Sequence, residues 1–131
     1  MISDRDYKTL ASVRAELRSF AHFTEQSTSH AGLTPQQHQI LLAIRASETA
    51  ELTIGELAEI MLLKPHSVSG IADRLQKLDL VERVRRTEDR RSIALRLTPK
   101  ALGVLASLGQ VHKDELRRVR PLLISLLSQF E

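Results

Sequence analysis

Cysteine and tryptophan are both absent from these 131 residues, and three Phe and one Tyr leave aromatics at 3%. Without thiols there is no disulfide scaffold, no cysteine-based zinc site and no thiol redox sensor. So few rings argue against a protein that stacks the bases of single-stranded nucleic acid. No apolar run approaches the length of a membrane span, and the opening MISDRDYK lacks the apolar core of a signal peptide. Cytoplasmic residence, with no membrane partner, is the expectation. The five histidines, His22, His30, His38, His66 and His112, show neither HxxxH nor HExxH spacing, so no metal is expected. Carboxylates occur beside no nucleophile, glycine-rich loop or metal motif. An enzyme is therefore not expected, nor a cofactor.

What is present is a length suited to one domain with a real core, 42% hydrophobic and 27% charged. The net charge of +3 is mild but unevenly spread. Residues 1–33 balance, and residues 34–63 set Arg45 against four glutamates for a net −3. Residues 64–98 hold nine basic and five acidic groups, a net +4. A localised positive region is the electrostatic footprint of a DNA binder.

Apolar residues Leu10, Val13, Leu17, Phe20 and Phe23 predict a long amphipathic helix from Asp4 to about Ser29, stopped near Gly32. Thr34-Pro35-Gln36-Gln37 restarts a helix with a capping box, and Ile40, Leu41, Leu42 and Ile44 form its inner face. After a polar connection over 47–52, Thr53-Ile54-Gly55-Glu56 opens a short helix bearing Leu57, Ala58, Ile60 and Met61. Lys64-Pro65 then begins a further helix with Val68, Ile71, Ala72, Leu75 and Leu78 on one stripe. Its other face carries His66, Ser67, Ser69, Gly70, Asp73, Arg74 and Lys77, small polar groups first and long basic ones later. Such a pair of helices across a tight turn is a helix-turn-helix, the second suited to a DNA major groove. Lys64 is a poor N-cap, so the first amides are left for another acceptor, such as phosphate.

Residues 81–86 and 92–97 read as two strands joined by a polar turn. Ile93, Leu95 and Leu97 are expected on one side of the second strand. A hairpin in this position is a wing, and it holds Arg83, Arg85, Arg86, Arg90, Arg91 and Arg96 but no lysine. Arginine fits a narrow minor groove and pairs with phosphate in fixed geometry. Thr98-Pro99 caps another helix to about Arg120, with Leu102, Leu105, Leu108, Val111, Leu116 and Val119 as its stripe and Pro121 as a kink or restart. The stretch from Pro121 to Glu131 is apolar around most of its circumference, which implies a partner.

Thr34-Pro35-Gln36-Gln37 with Ile40-Leu41, the run from Val68-Ser69 to Arg74-Leu75, Leu80-Val81-Glu82-Arg83, and Asp89-Arg90-Arg91 through Leu95-Arg96-Leu97-Thr98 together resemble the MarR family of bacterial transcriptional regulators. The resemblance runs over essentially the whole chain. It implies a mainly α fold with a small β-hairpin, a winged helix-turn-helix over 34–98, and dimerisation helices over 1–33 and 99–131. It implies a homodimer acting on a pseudo-palindromic double-stranded DNA operator, often as a repressor released by a phenolic or aromatic acid. By the family pattern Ser67, Ser69 and His66 would read base edges, while Lys64, Arg74 and Lys77 would meet phosphates. Arg91 would enter the minor groove, oriented by a salt bridge from Asp89, with Arg86 and Arg90 on phosphates. Asp79 and Ala101 stand where the family usually has glycine. The final helix is short for the family, which would either weaken the dimer or shift more of its contacts toward Leu10–Phe23.

Arg18, His22 and His38 are candidate donors to an anionic ligand between the dimer helices and the DNA-binding region. Hydrogen-bonded interior histidines are the alternative. A winged helix used for protein contacts alone is the competing function, and the arginine-rich wing argues against it.

Overall fold

The computed structural model describes residues 1–86, 89 and 91–130. Its elements, in chain order, are α1 (Asp4–His30), α2 (Pro35–Ala46), β1 (Glu51–Thr53), α3 (Ile54–Met61), α4 (Pro65–Lys77), β2 (Val81–Arg85), β3 (Ile93–Leu97) and α5 (Pro99–Leu127). This is a mainly α fold with a small antiparallel sheet.

Local chemistry sets most of the helix boundaries. Thr34 Oγ1 accepts the Gln37 N–H at 3.1 Å while Gln37 Oε1 accepts the Thr34 N–H at 3.0 Å, closing the expected capping box of α2. Thr53 and Glu56 do the same for α3, and Ser3 with Asp6 for α1. Prolines 35, 65 and 99 occupy first helical positions, where their missing N–H and fixed φ do no harm. At the other end of α1, Leu33 N–H reaches back to the Thr28 carbonyl at 3.1 Å and Gly32 takes φ +82°. Glycine is what that left-handed position favours. The ends of α3 and α4 repeat that bond, Leu63 N–H to the Ala58 carbonyl and Leu80 N–H to the Leu75 carbonyl, with Leu62 (φ +56°) and Asp79 (φ +59°) in glycine's place. An L-residue there costs about 1–2 kcal/mol, so these two turns are held by what surrounds them.

The core lies in the middle of the chain. Ile40, Leu41 and Ile44 of α2, Leu57 of α3, and Val68, Ala72 and Leu75 of α4 are fully buried, joined by Leu80, Val81, Leu95, Leu97, Ala101, Leu105 and Leu108. Ala101 therefore fits where glycine was the family's choice. The stripes read from spacing overreach at their margins: Leu42, Ile60, Leu78, Leu102, Val111 and Leu116 are exposed.

Three expectations are corrected. Residues 47–52 are not simply a polar connection, because Glu51–Thr53 forms a third strand. The sheet order is β1-β3-β2, with Leu52 opposite Leu95 and Val81 opposite Leu97. A hairpin leaves the outer edge of β3 with unpaired backbone groups, and β1 satisfies them. Second, β3 does not simply alternate. Ala94 is buried and Ile93 exposed, because Ala94 sits mid-sheet between Thr53 and Val84 while Ile93 lies out toward the wing tip. Third, Pro121 lies inside one continuous helix, so the C-terminal region is a single helix rather than two. The side chain of Pro121 is exposed, which lets water meet the carbonyl that its ring leaves unbonded.

α1 and α5 pack on each other yet keep much of their apolar surface outward. Leu17 is 53% exposed and Ile124 54%. Thr9 of α1 is buried and its hydroxyl meets Gln129 Oε1 at 3.1 Å. No helix of the described residues is long and apolar enough to cross a membrane.

Candidate nucleic-acid interface

α4 buries Val68, Ala72 and Leu75 and turns a polar face outward. Lys64, His66, Gly70, Arg74 and Lys77 are exposed, and Ser67 and Ser69 are partly so. All the α4 residues expected to meet DNA thus reach solvent. Lys64 makes no side-chain cap to the first turn, as the sequence implied. Those amides still present partial positive charge at the start of the helix. A Cβ built on Gly70 meets nothing within 4 Å, so the chain itself gives no packing reason for a glycine there.

The hairpin lies against this helix through Arg83. One of its guanidinium nitrogens donates to Asp73 Oδ1 at 2.8 Å and another to Gln76 Oε1. Arg96 pairs across the sheet with its neighbour Glu82, at 3.0 Å and 2.6 Å. Exposed pairs of this kind contribute about 0–1 kcal/mol each, but they occupy two of the wing's six arginines.

Arg86, expected at phosphate, is held by a protein carboxylate. Its two terminal nitrogens grip the Glu56 carboxylate at 2.6 Å and 3.1 Å, and 19% of its side chain is exposed. That bidentate pair competes directly with any phosphate for the same guanidinium. It also holds the Glu56 carboxyl below its ordinary pKa, chiefly through the Arg86 hydrogen bonds and then through the Thr53 N–H. Nothing in the spacing of the sequence ties residue 56 to residue 86.

Asp89 and Arg91 do meet, though not by the expected salt bridge. Asp89 Oδ1 accepts the backbone N–H of Arg91 at 3.0 Å, and its carbonyl accepts the Ser92 N–H at 3.0 Å. The carboxylate shapes the turn, as short acidic side chains commonly do. The side chain of Arg91 is exposed and makes no ion pair among the described residues. Arg90, also expected at phosphate, lies outside the described residues.

Of the three candidate ligand donors, Arg18 and His22 lie one turn apart on the exposed face of α1 and His38 is buried. His38 meets a histidine that spacing did not single out. The His38 and His112 rings lie 5.1 Å apart edge to face, and Phe23 approaches His112 at 6.4 Å. Ser27 Oγ and His112 Nε2 are 2.8 Å apart. Burial, and next the neighbouring His112, pushes the pKa of His38 down, and burial lowers that of His112. Nearby, an open cleft of about 700 Å³ between the end of α1 and the first half of α5 is lined by Ser27, His30, Lys100, Gly103, Val104 and Val111, among others. Only the folded packing of α1 on α5 creates it, so residue spacing offered no signal. Among the described residues no group of three or more His, Cys, Asp or Glu is placed to hold a metal.

Comparison with known proteins agrees with this arrangement. A profile of the MarR family matches residues 31–92, from the end of α1 through α4 and into the wing. The HTH-type transcriptional repressor MdtR of Bacillus subtilis (strain 168) is 38% identical over 73 residues, 56% of this chain and 46% of that protein. The chain thus spans less than half the length of that relative. The HTH-type transcriptional regulator YsmB of the same organism is 28% identical over 120 residues, covering 88% of this chain and 81% of that one. In fold, the chain is similar to AbsC, a MarR family transcriptional regulator from Streptomyces coelicolor. The TM-score is 0.73 at 23% identity, over 90% of this chain and 80% of the other. The chain is thus similar in sequence to the MarR family through its helix-turn-helix, and similar in fold to a member of that family along nearly all its length.

Proposed function

We propose that the protein is a sequence-specific DNA-binding transcriptional regulator, a repressor that acts as a homodimer on a pseudo-palindromic operator. The observation that carries this reading is the outward face of α4. A helix that buries Val68, Ala72 and Leu75 leaves Lys64, His66, Ser67, Ser69, Gly70, Arg74 and Lys77 toward solvent, beside a hairpin that offers Arg91. In this reading Ser67, Ser69 and His66 meet base edges in the major groove, where short donors and acceptors read sequence. Lys64, Arg74 and Lys77 neutralise phosphates, joined by Arg90, and Arg91 enters the minor groove. Support for this class of partner comes from a mutant MarR from E. coli, a 21% identical neighbour in fold, which is complexed with operator DNA.

The homodimer rests on the apolar residues that α1 and α5 leave exposed, Leu10, Leu17, Leu116, Leu122, Ile124 and Leu127. An apolar surface of that extent on paired helices is the usual mark of an interface. Release by a small anionic aromatic ligand is the last part of the reading. The cleft beside His30 and Lys100 sets a cationic side chain against the apolar walls of Val104, Leu108 and Val111.

The test is binding to a labelled duplex taken from upstream of the protein's own gene, at two salt concentrations, for wild type and Arg91→Ala. Tight, steeply salt-dependent binding by the wild type, abolished in the variant, is the expected result. Wild type that binds this duplex no better than a random one overturns the reading. A monomeric mass in solution at micromolar protein overturns the homodimer. A salicylate-induced thermal shift that persists unchanged in Lys100→Ala rules out the cleft.

A further inference from the structure

The wing is tied to the body of the fold by a run of interactions that begins on β3 and ends on Ser92, the residue just before it. Thr53, the last residue of β1, pairs with Ala94 of β3. Its hydroxyl and N–H are both engaged by Glu56 in the capping box of α3. Glu56 Oε1, held by the Thr53 N–H at 2.9 Å, also accepts from Arg86 Nη1 at 2.6 Å, while Oε2 accepts from Nη2 at 3.1 Å. Arg86 then reaches the residue that precedes the strand, its own N–H donating to the Ser92 carbonyl at 2.9 Å. That bond lies just beyond the end of β2, at the point where the hairpin loop departs toward Arg91.

Two physical features set this pair apart from the other arginine pairs of the wing. The carboxylate is already pinned by a backbone N–H, so it loses little freedom when the guanidinium arrives, and the two-pronged grip fixes angle as well as distance. Arg86 is also the least exposed of the three, at 19% of its side chain against 33% for Arg83 and 51% for Arg96. A guanidinium so covered, with its fork on a protein carboxylate, is poorly placed to neutralise a phosphate.

We propose that Glu56 and Arg86 form a latch that sets the angle of the wing against α3, and that Arg86 is a positioning residue rather than a DNA contact. The inference rests on the DNA-binding reading above. It has an unusual consequence of sign. Removing a negative charge ordinarily strengthens DNA binding, yet here removal of the Glu56 charge weakens it, because Arg91 is no longer presented at the right place.

Arg86→Lys and Glu56→Gln test this with little change of size. Lysine keeps the charge, and meets a phosphate as a point charge, but cannot make the two-pronged grip. Both variants are expected to bind the upstream duplex about 5- to 30-fold more weakly, as a modest pair is broken in each of two subunits. The slope of log affinity against log salt is expected to stay at the wild-type value. If Arg86 touches phosphate instead, Arg86→Lys binds like wild type and Arg86→Ala lowers the slope by about 1.8, two phosphates at about 0.9 each. Either result overturns the latch, as does a Glu56→Gln protein that binds as tightly as wild type or more so. Amide hydrogen exchange on the protein alone separates this inference from the one beneath it. Faster exchange in β2 and β3 of both variants supports the latch even if the wild type proves to have no preference for the duplex, and unchanged exchange overturns it.

Discussion

Thr98 Oγ1 donates to the carbonyl oxygen of Asp79 at 2.7 Å, and Oγ1 itself accepts the N–H of Ala101 at 3.2 Å. One hydroxyl therefore closes the left-handed turn that ends α4 and caps the start of α5. The end of the proposed recognition helix and the start of the long C-terminal helix are joined through it. Lys100 adds to the junction, its Nζ donating to the Leu78 carbonyl at 2.8 Å.

Thr98→Ala is expected to destabilise the protein by about 1–2 kcal/mol, the cost of losing an N-cap, with a further contribution from the turn. Asp79→Gly is expected to act in the opposite direction, by up to about 1 kcal/mol, because glycine adopts φ > 0 without penalty. Urea unfolding at fixed protein concentration checks both. An Asp79→Gly protein less stable than wild type would show that the aspartate side chain contributes more than its backbone strain costs.

Gly70→Ala separates folding from binding. With nothing within 4 Å of the added methyl, the substitution is expected to stabilise the chain by about 0.5–1 kcal/mol through helix propensity. The proposed role of α4 predicts weaker binding to the upstream duplex by the same protein, because the methyl stands on the face turned to DNA. Equal or tighter binding would show that this turn of α4 does not closely approach the duplex.

Stability should depend on pH through His38 and His112. Their folded-state pKa values lie below the ordinary histidine value, for reasons of burial and, at His38, of the adjacent His112. As pH falls through about 6.5 the unfolded chain takes up protons that the folded protein still resists. The stabilisation is therefore complete above that pH and declines as pH drops from about 6.5 toward the lowered folded values. Unfolding followed from neutral into mildly acidic solution should show this fall, and His38→Gln should flatten it. An unchanged slope in that variant would remove His38 as its source.

Lys77→Ala and Arg91→Ala should weaken binding in different ways. If Lys77 neutralises a phosphate in each subunit of the proposed homodimer, its loss should lower affinity alike for all sequences and reduce the salt slope by about 1.8, at about 0.9 per phosphate. Removing Arg91, the proposed minor-groove arginine, should instead fall more heavily on the preferred duplex than on random DNA. Parallel titrations of both variants on both duplexes, across salt, measure the distinction. If both variants lose affinity equally on both duplexes, Arg91 carries no specificity.

Much of this protein was legible in its residues because the signals are local. Thr34 with Gln37, Thr53 with Glu56, and Thr98 before Pro99 start their helices through bonds spanning three residues. The stripe of Val68, Ala72 and Leu75 needs only the helical repeat to define a buried face. The outward set on α4 follows as its complement. What required the tertiary structure joins residues far apart in the chain. β1 exists because the edge of β3, far along the chain, offers backbone groups to pair, and so short a strand carries no period to read. His38 finds His112 only when α2 meets α5. Arg86 looks like one more wing arginine until Glu56, thirty residues earlier, takes its guanidinium. An arginine has the same chemistry toward a carboxylate and a phosphate, so sequence determined that the wing would be rich in guanidinium groups. Only the fold decided which of them are turned inward to hold the wing and which are left outward for a partner.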